Sequence, residues 1–242
     1  MLTREIEYVV DGTTFIGTFA VDPAWAGLRP GVLLAPEGMG LGDLCRSFGQ
    51  RLASLGYATF AMDYYGGGVP LADMNDAMPR ITALTASPAP IRAIAKTALG
   101  VLESQPETDR SRLAAIGYCF GGTTVLELAR SGAEVHAVVG FHSGLGTQLP
   151  AQKGVVKAKI LAQLGVNDPI ITAADRNAFE AEMEAAGVDW RINLYGEAGH
   201  SFTNPDVGRM GRSGFDYHQP TDHRSWRAML DHFDEVLGPP LR

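Results

Sequence analysis

The chain has 242 residues, 45% of them hydrophobic and 19% charged. That length suits one large domain or two small ones with a core that needs no metal or disulfide staples, and the balance excludes a disordered chain. Lys and Arg total 20 against 27 Asp and Glu, a formal net charge of −7, so nucleic acid and anionic membrane surfaces are not expected partners.

The chain opens MLTREIEYVV, with charges at Arg4, Glu5 and Glu7 where a signal peptide needs an apolar stretch. No run approaches the ~20 apolar residues of a membrane span. Glu5–Val10 and Thr13–Val21 flank Asp11-Gly12, a two-residue turn signal, and predict a hairpin. Gly31–Pro36 (GVLLAP) is continuously apolar, as a strand buried on both faces should be. Asp43–Leu55 is helical, with Leu44, Phe48, Leu52 and Leu55 on one face and Gly56 as the stop. Tyr57–Asp63 reads as a strand, and Ile91–Leu102 as a helix with Ile91, Ile94, Ala95, Ala98 and Leu102 on one face.

The alternation continues to the end. Arg112–Tyr118 is a strand, Gly122–Arg130 a helix closed by Gly132, and Val135–Phe141 and Ala158–Val166 are strands. Thr172–Ala186 is a helix with capping-box spacing at Thr172 and Asp175 and a stop at Gly187. Asp189–Tyr195 is a strand, and Ser225–Leu237 a closing helix. Repeated strand–helix units predict an α/β fold, with a mostly parallel sheet covered by helices on both faces. No repeat or linker interrupts the chain, so a single domain over 1–242 is expected. Residues 64–90 and 203–222 read as long irregular stretches, of the kind that often carry function.

Two cysteines, Cys45 and Cys119, cannot form a disulfide framework or a thiolate metal site, which points to a reducing, cytoplasmic setting. They read differently. Cys45 falls on the apolar side of the first long helix and reads as core. Cys119 lies in Gly117-Tyr118-Cys119-Phe120-Gly121-Gly122, after an apolar strand and before a helix. A Cys alone is more often a buried structural residue. Glycines on both sides of a strand-to-helix turn favour a nucleophile held at the C-terminal edge of the sheet. The backbone N–H of Phe120 could then face an oxyanion, and the helix N-terminus would favour a thiolate.

Such a nucleophile needs a base and an orienting acid, in the chain order nucleophile, acid, histidine. Asp168 follows the strand Ala158–Val166, and His200 follows Asp189–Tyr195, so both are expected on the same sheet edge as Cys119. His142 also follows a strand and competes for the role of base, although it precedes Asp168. His136 and His232 read as packing or surface residues, and His218 and His223 as solvated loop residues. No spacing of His and carboxylates suits a metal, so none is expected.

With these residues placed, the chain resembles the dienelactone hydrolase family of the α/β-hydrolase superfamily. The resemblance rests on Ala35-Pro36-Glu37-Gly38, the Gly-Tyr-Cys-Phe-Gly-Gly turn, Gly-Val-Asn-Asp-Pro around Asp168 and Gly-His-Ser-Phe around His200. It implies an α/β-hydrolase fold and a carboxylic ester or lactone hydrolase with a Cys nucleophile and no cofactor. It also implies that Glu37 lies beside the thiol and takes up its proton, in place of a permanent Cys–His ion pair. Gly38 becomes a second oxyanion donor. The family's best-known members bind a substrate carboxylate with two arginines. Arg80 matches one of them, but the position four residues after His200 is Asn204, which cannot form a bidentate clamp. Arg209 and Arg212 are either substitutes or surface charges. Tyr64, Tyr65, Phe141 and Phe202 are expected to line an apolar pocket. A thioesterase or short-chain carboxylesterase on the same site is the alternative, with a non-catalytic binding protein behind it. The chain is expected to act on a small molecule as a monomer or homodimer.

Overall fold

In the computed structural model, residues 1–240 are described. Strands β1 (Leu2–Val10) and β2 (Thr13–Val21) form the expected hairpin, with Val10 opposite Thr13. Both turn residues, Asp11 and Gly12, adopt positive φ, the conformation that a two-residue hairpin turn demands. Gly31–Ala35 of the apolar run GVLLAP lie within β3 (Arg29–Ala35), where every residue is buried, and Pro36 follows its end. It is followed by α1 (Asp43–Ser54) and the short strand β4 (Ala58–Ala61).

Residues 64–90, expected to be irregular, contain a helix, α2 (Met74–Ala86). Asp73 caps it by accepting from the N–H groups of Asn75 and Asp76. Its signal in the sequence is faint because Pro79 lies inside it and Ala77 is its only buried residue. One residue separates it from α3 (Pro88–Ser104). Then come β5 (Thr108–Tyr118), α4 (Phe120–Arg130), β6 (Ala137–Phe141) and β7 (Lys159–Gly165). The last elements are α5 (Ala173–Ala186), β8 (Trp190–Tyr195) and α6 (Gln219–Leu237). The predicted capping box at Thr172 and Asp175 is formed, and Gly187 closes α5 in the left-handed conformation. Helix α6 begins earlier than expected, with Pro220 in its first turn. The stretch 203–222 also holds a short 3-10 turn, Val207–Met210.

The eight strands of the described residues form one sheet in the order β1-β2-β4-β3-β5-β6-β7-β8. Pairings among β3 to β8 are parallel, and β1 and β2 add an antiparallel edge. Apolar side chains form one buried cluster with α3, α4 and α5, and a second with α1 and α6. The sheet therefore has helices on both faces, as the alternating pattern predicts. No described helix is long and apolar enough to cross a membrane.

Candidate active site

The site is assembled at the C-terminal ends of the parallel strands. Cys119 stands between the end of β5 and the start of α4, with φ +54° and ψ −117°. A non-glycine residue there costs roughly 1–3 kcal/mol, which surrounding contacts must offset. Close packing explains the flanking glycines. A Cβ on Gly117 would lie 2.0 Å from the Gly121 carbonyl oxygen, and one on Gly121 would lie 2.1 Å from that of Ala35. The turn is pinned through the Cys119 N–H, which donates to the Phe141 carbonyl at 2.9 Å and to His142 Nδ1 at 3.1 Å.

His200 Nε2 lies 3.1 Å from Cys119 Sγ, and its Nδ1 lies 2.8 Å from Asp168 Oδ2. The other Asp168 oxygen accepts from the N–H groups of Ile170 and Ile171 at 2.8 and 3.2 Å. That leaves Oδ2 free to orient the imidazole. Burial alone would depress the His200 pKa. The negative charge of a Cys119 thiolate and the hydrogen bonds to Asp168 and Cys119 outweigh burial and raise it to about 10. These contacts favour a charged His200 imidazolium beside Cys119 Sγ and fit a Cys–His–Asp triad.

His142 does not compete as a base. Because Nδ1 accepts from Cys119, the proton resides on Nε2, which is 2.9 Å from Thr203 Oγ1. Burial, then the neighbouring charge of His200, hold its pKa well below the ordinary value. It is a neutral clamp joining the nucleophile turn to the loop after His200. Its ring meets the His200 ring edge-on at 5.2 Å.

Glu37 follows β3 and approaches the site differently from the expectation. Its Oε2 accepts from Asn204 Nδ2 at 2.8 Å, while its buried Oε1 has no hydrogen-bond partner. The carboxyl group thus contacts Asn204 and not the thiol, and the thiol is already paired with His200. Burial raises the Glu37 pKa, opposed by the Asn204 hydrogen bond, the charge of His200 and the nearby Ser201 side chain. Gly38 and Phe120 are adjacent: a Cβ on Gly38 would lie 4.0 Å from that of Phe120. Phe120 occupies the first turn of α4, where N–H groups have no intrahelical acceptor.

A cavity of about 420 Å³ opens over Cys119, Phe120, Gly38 and His200. Met74, Met78, Ile81 and Thr85 of α2 form one wall, and Met210, Arg212 and Phe215 another. Of these residues, the sequence pattern singles out Arg212 alone. The spacing of 74, 78 and 81 after an Asp cap was the available signal.

Several expected lining residues lie elsewhere. Tyr64 is buried beneath the Glu37 loop, where its hydroxyl donates to the carbonyls of Pro36 and Glu37 and its ring meets Phe120 edge-on. Tyr65 donates to the Gly38 carbonyl at 2.8 Å. Phe141 stacks on Tyr118 at 4.6 Å within the α1/α6 cluster, because Tyr118 and Phe141 are register partners on one face of the sheet. Phe202 is fully buried with its ring edge-on to His142. Arg80 is exposed, 5.6 Å from the Tyr65 ring centre and outside the cavity wall. Arg209 pairs with Asp206 at the surface, whereas Arg212 reaches the cavity rim over Phe215. Cys45 is buried on α1, and burial pushes its pKa up to about 12. Among the described residues, no group of three His, Cys, Asp or Glu side chains could hold a metal ion.

Comparison with known proteins agrees with this geometry. The profile of the dienelactone hydrolase family matches residues 16–237. The chain belongs to the dienelactone hydrolase family. It is 32% identical to a carboxymethylenebutenolidase of Pseudomonas sp. (strain P51) over 218 residues, covering 84% of this chain and 85% of the relative. A solved structure described as m3DLH superposes with a TM-score of 0.95 at 44% identity, over 98% of each chain. A dienelactone hydrolase-like promiscuous phosphotriesterase, P91, from metagenomic libraries superposes with a TM-score of 0.92 at 38% identity, over 98% of this chain and 99% of that one. The chain is thus an α/β hydrolase, with the Cys, His and Asp of its sheet edge in mutual contact.

Proposed function

We propose that this single-domain chain hydrolyses carboxylic esters or lactones with Cys119 as nucleophile. The observation that carries this reading is the continuous chain from Sγ to His200 Nε2 at 3.1 Å and from Nδ1 to Asp168 at 2.8 Å. The thiolate attacks the carbonyl carbon, and the carbonyl electron pair moves onto oxygen. The N–H groups of Phe120 and Gly38 hold that oxyanion. Collapse expels an alkoxide, which takes the proton from Nε2, and a thioester remains. Water then attacks the thioester as Nε2 accepts its proton, and a second collapse frees the acid and restores the thiolate.

Support for this substrate class comes from the family membership and from the carboxymethylenebutenolidase relative. The α2 wall of methionine and isoleucine suits an apolar acyl or alkoxy group. The test is steady-state hydrolysis of p-nitrophenyl esters, simple lactones and carboxylated lactones by the wild type and Cys119→Ala. Loss of at least a thousandfold in kcat with an intact fold is expected. Near-wild-type esterase activity in Cys119→Ala would overturn the reading. A p-nitrophenyl phosphotriester belongs in the panel, because one solved relative is described as a promiscuous phosphotriesterase.

A further inference from the structure

A second cavity reaches Glu37 from the other side. Its volume is about 440 Å³, close to the 420 Å³ over Cys119. Glu37, Met39 and Asn204 line both cavities and so form a partition between them. The far wall comes from α1, through Leu44, Cys45 and Phe48, and from Tyr118 at the end of β5.

Two buried polar atoms on lining residues make no hydrogen bond of good geometry: Glu37 Oε1, although the Ser201 side chain lies near that carboxyl group, and the Tyr118 hydroxyl. Tyr118 is only 1% exposed. Buried polar side-chain atoms are normally hydrogen-bonded, so two orphans around one cavity mark bonds that an occupant supplies. The charge of the lining restricts that occupant. Glu37 contributes a buried carboxyl group, whereas Asp43 and Asp206 are solvent-exposed and paired with Arg46 and Arg209; among the described residues no Lys, Arg or His lines the space. A carboxylate would enter without a cation to balance it. The remaining walls include Met39, Leu44, Phe48 and Pro70, which suit an apolar stem.

We propose that this cavity is a second substrate compartment for an uncharged, hydrogen-bonding end group on an apolar stem, such as an amide or alcohol, and that it discriminates against carboxylate tails. The ester bond then sits at Cys119 while the tail crosses the Glu37–Asn204 partition. Burial keeps the Glu37 carboxyl protonated over a wider pH range than usual. Oε2 accepts from Asn204, so Oε1 is the carboxyl oxygen left to bond the tail.

The inference rests on the hydrolase reading, and its test separates the two. Three p-nitrophenyl esters share a leaving group and differ in the acyl part: the acetate, the adipamate with a terminal amide and the hemiadipate with a terminal carboxylate. Acetate reports the chemistry alone. The expected result is a kcat/KM for adipamate at least tenfold above hemiadipate. Leu44→Phe and Cys45→Met, which add bulk to the far wall, should each lower the adipamate-to-acetate ratio at least fivefold through KM. Equal rates for the two tailed esters overturn the proposal, as does an unchanged ratio in the folded variants. If the wild type fails to hydrolyse even acetate, the hydrolase reading falls, and calorimetric binding to Cys119→Ala decides the compartment. Tighter binding of adipamide than of adipate supports it, and equal binding or a preference for adipate overturns it.

Discussion

Asn204 and Glu37 are 167 positions apart in the chain and are joined by a 2.8 Å hydrogen bond from Nδ2 to Oε2. This bond ties the loop after β3 to the loop after His200. A neutral amide there leaves Arg212, at the rim, as the arginine that lines the catalytic cavity.

Asn204→Arg should therefore favour anionic substrates. A charge-assisted hydrogen bond is worth about 1.5–3 kcal/mol. The expected gain in kcat/KM is at least tenfold for a carboxylated lactone, with none for its methyl ester. Paired kinetics on the acid and the ester check this.

Asn204→Leu removes a bond that lowers the Glu37 pKa, so that pKa should rise further. Glu37 then holds its proton to higher pH. An infrared carboxyl band absent in Glu37→Gln should titrate at higher pH in Asn204→Leu than in the wild type.

His200 has a folded-state pKa near 10, above its ordinary value. Its protonation therefore stabilises the fold fully below about pH 6.5, and that contribution is lost as the pH rises through about 10. The stability difference between wild type and His200→Asn, measured by urea denaturation, should shrink from pH 6.5 to pH 10. A gap that widens over this window would contradict the assignment.

His142→Ala should damage both stability and turnover. It removes the Nδ1 acceptor of the Cys119 N–H and the partner of the buried Thr203 hydroxyl. A loss of about 1–3 kcal/mol is expected in urea denaturation. The kcat should fall more than tenfold, while the pH profile keeps its shape, because His142 positions the turn and exchanges no proton.

Gly121→Ala tests the packing of the nucleophile turn. Its new methyl group would lie 2.1 Å from a backbone oxygen of β3, which cannot swing aside as a side chain could. The expected cost is about 3 kcal/mol or more, read as a lowered Tm. Gly146→Ala, whose added carbon meets nothing within 4 Å, is the control.

Much of this architecture was legible because local and global signals coincide. Asp11-Gly12 names its own turn, GVLLAP its own buried strand, and the glycines around Cys119 their own close approach. Asp168 and His200 could be placed on one edge because both follow strands of a parallel sheet. Other features depend on which face of the sheet a side chain takes. Phe141 sits beside His142 in the chain, yet its register with Tyr118 turns it toward α1 and α6. Glu37 illustrates a second limit. Its position after β3 was readable, but its partner arrives from the far end of the chain. Helix α2 is faint in the sequence because it has no stripe buried in a core and directs its methionines into a cavity instead.

That orientation of α2 bears on how the protein opens. A helix with Ala77 as its only buried residue gains little from the interior, and Pro79 removes one of its backbone donors. Segments with few buried apolar contacts unfold locally at low free energy. The amides of 74–86 should exchange with deuterium well before those of β3 and β5. A ligand resting on Met74, Met78 and Ile81 would supply the hydrophobic partner that this helix lacks, so occupancy and helix order should rise together.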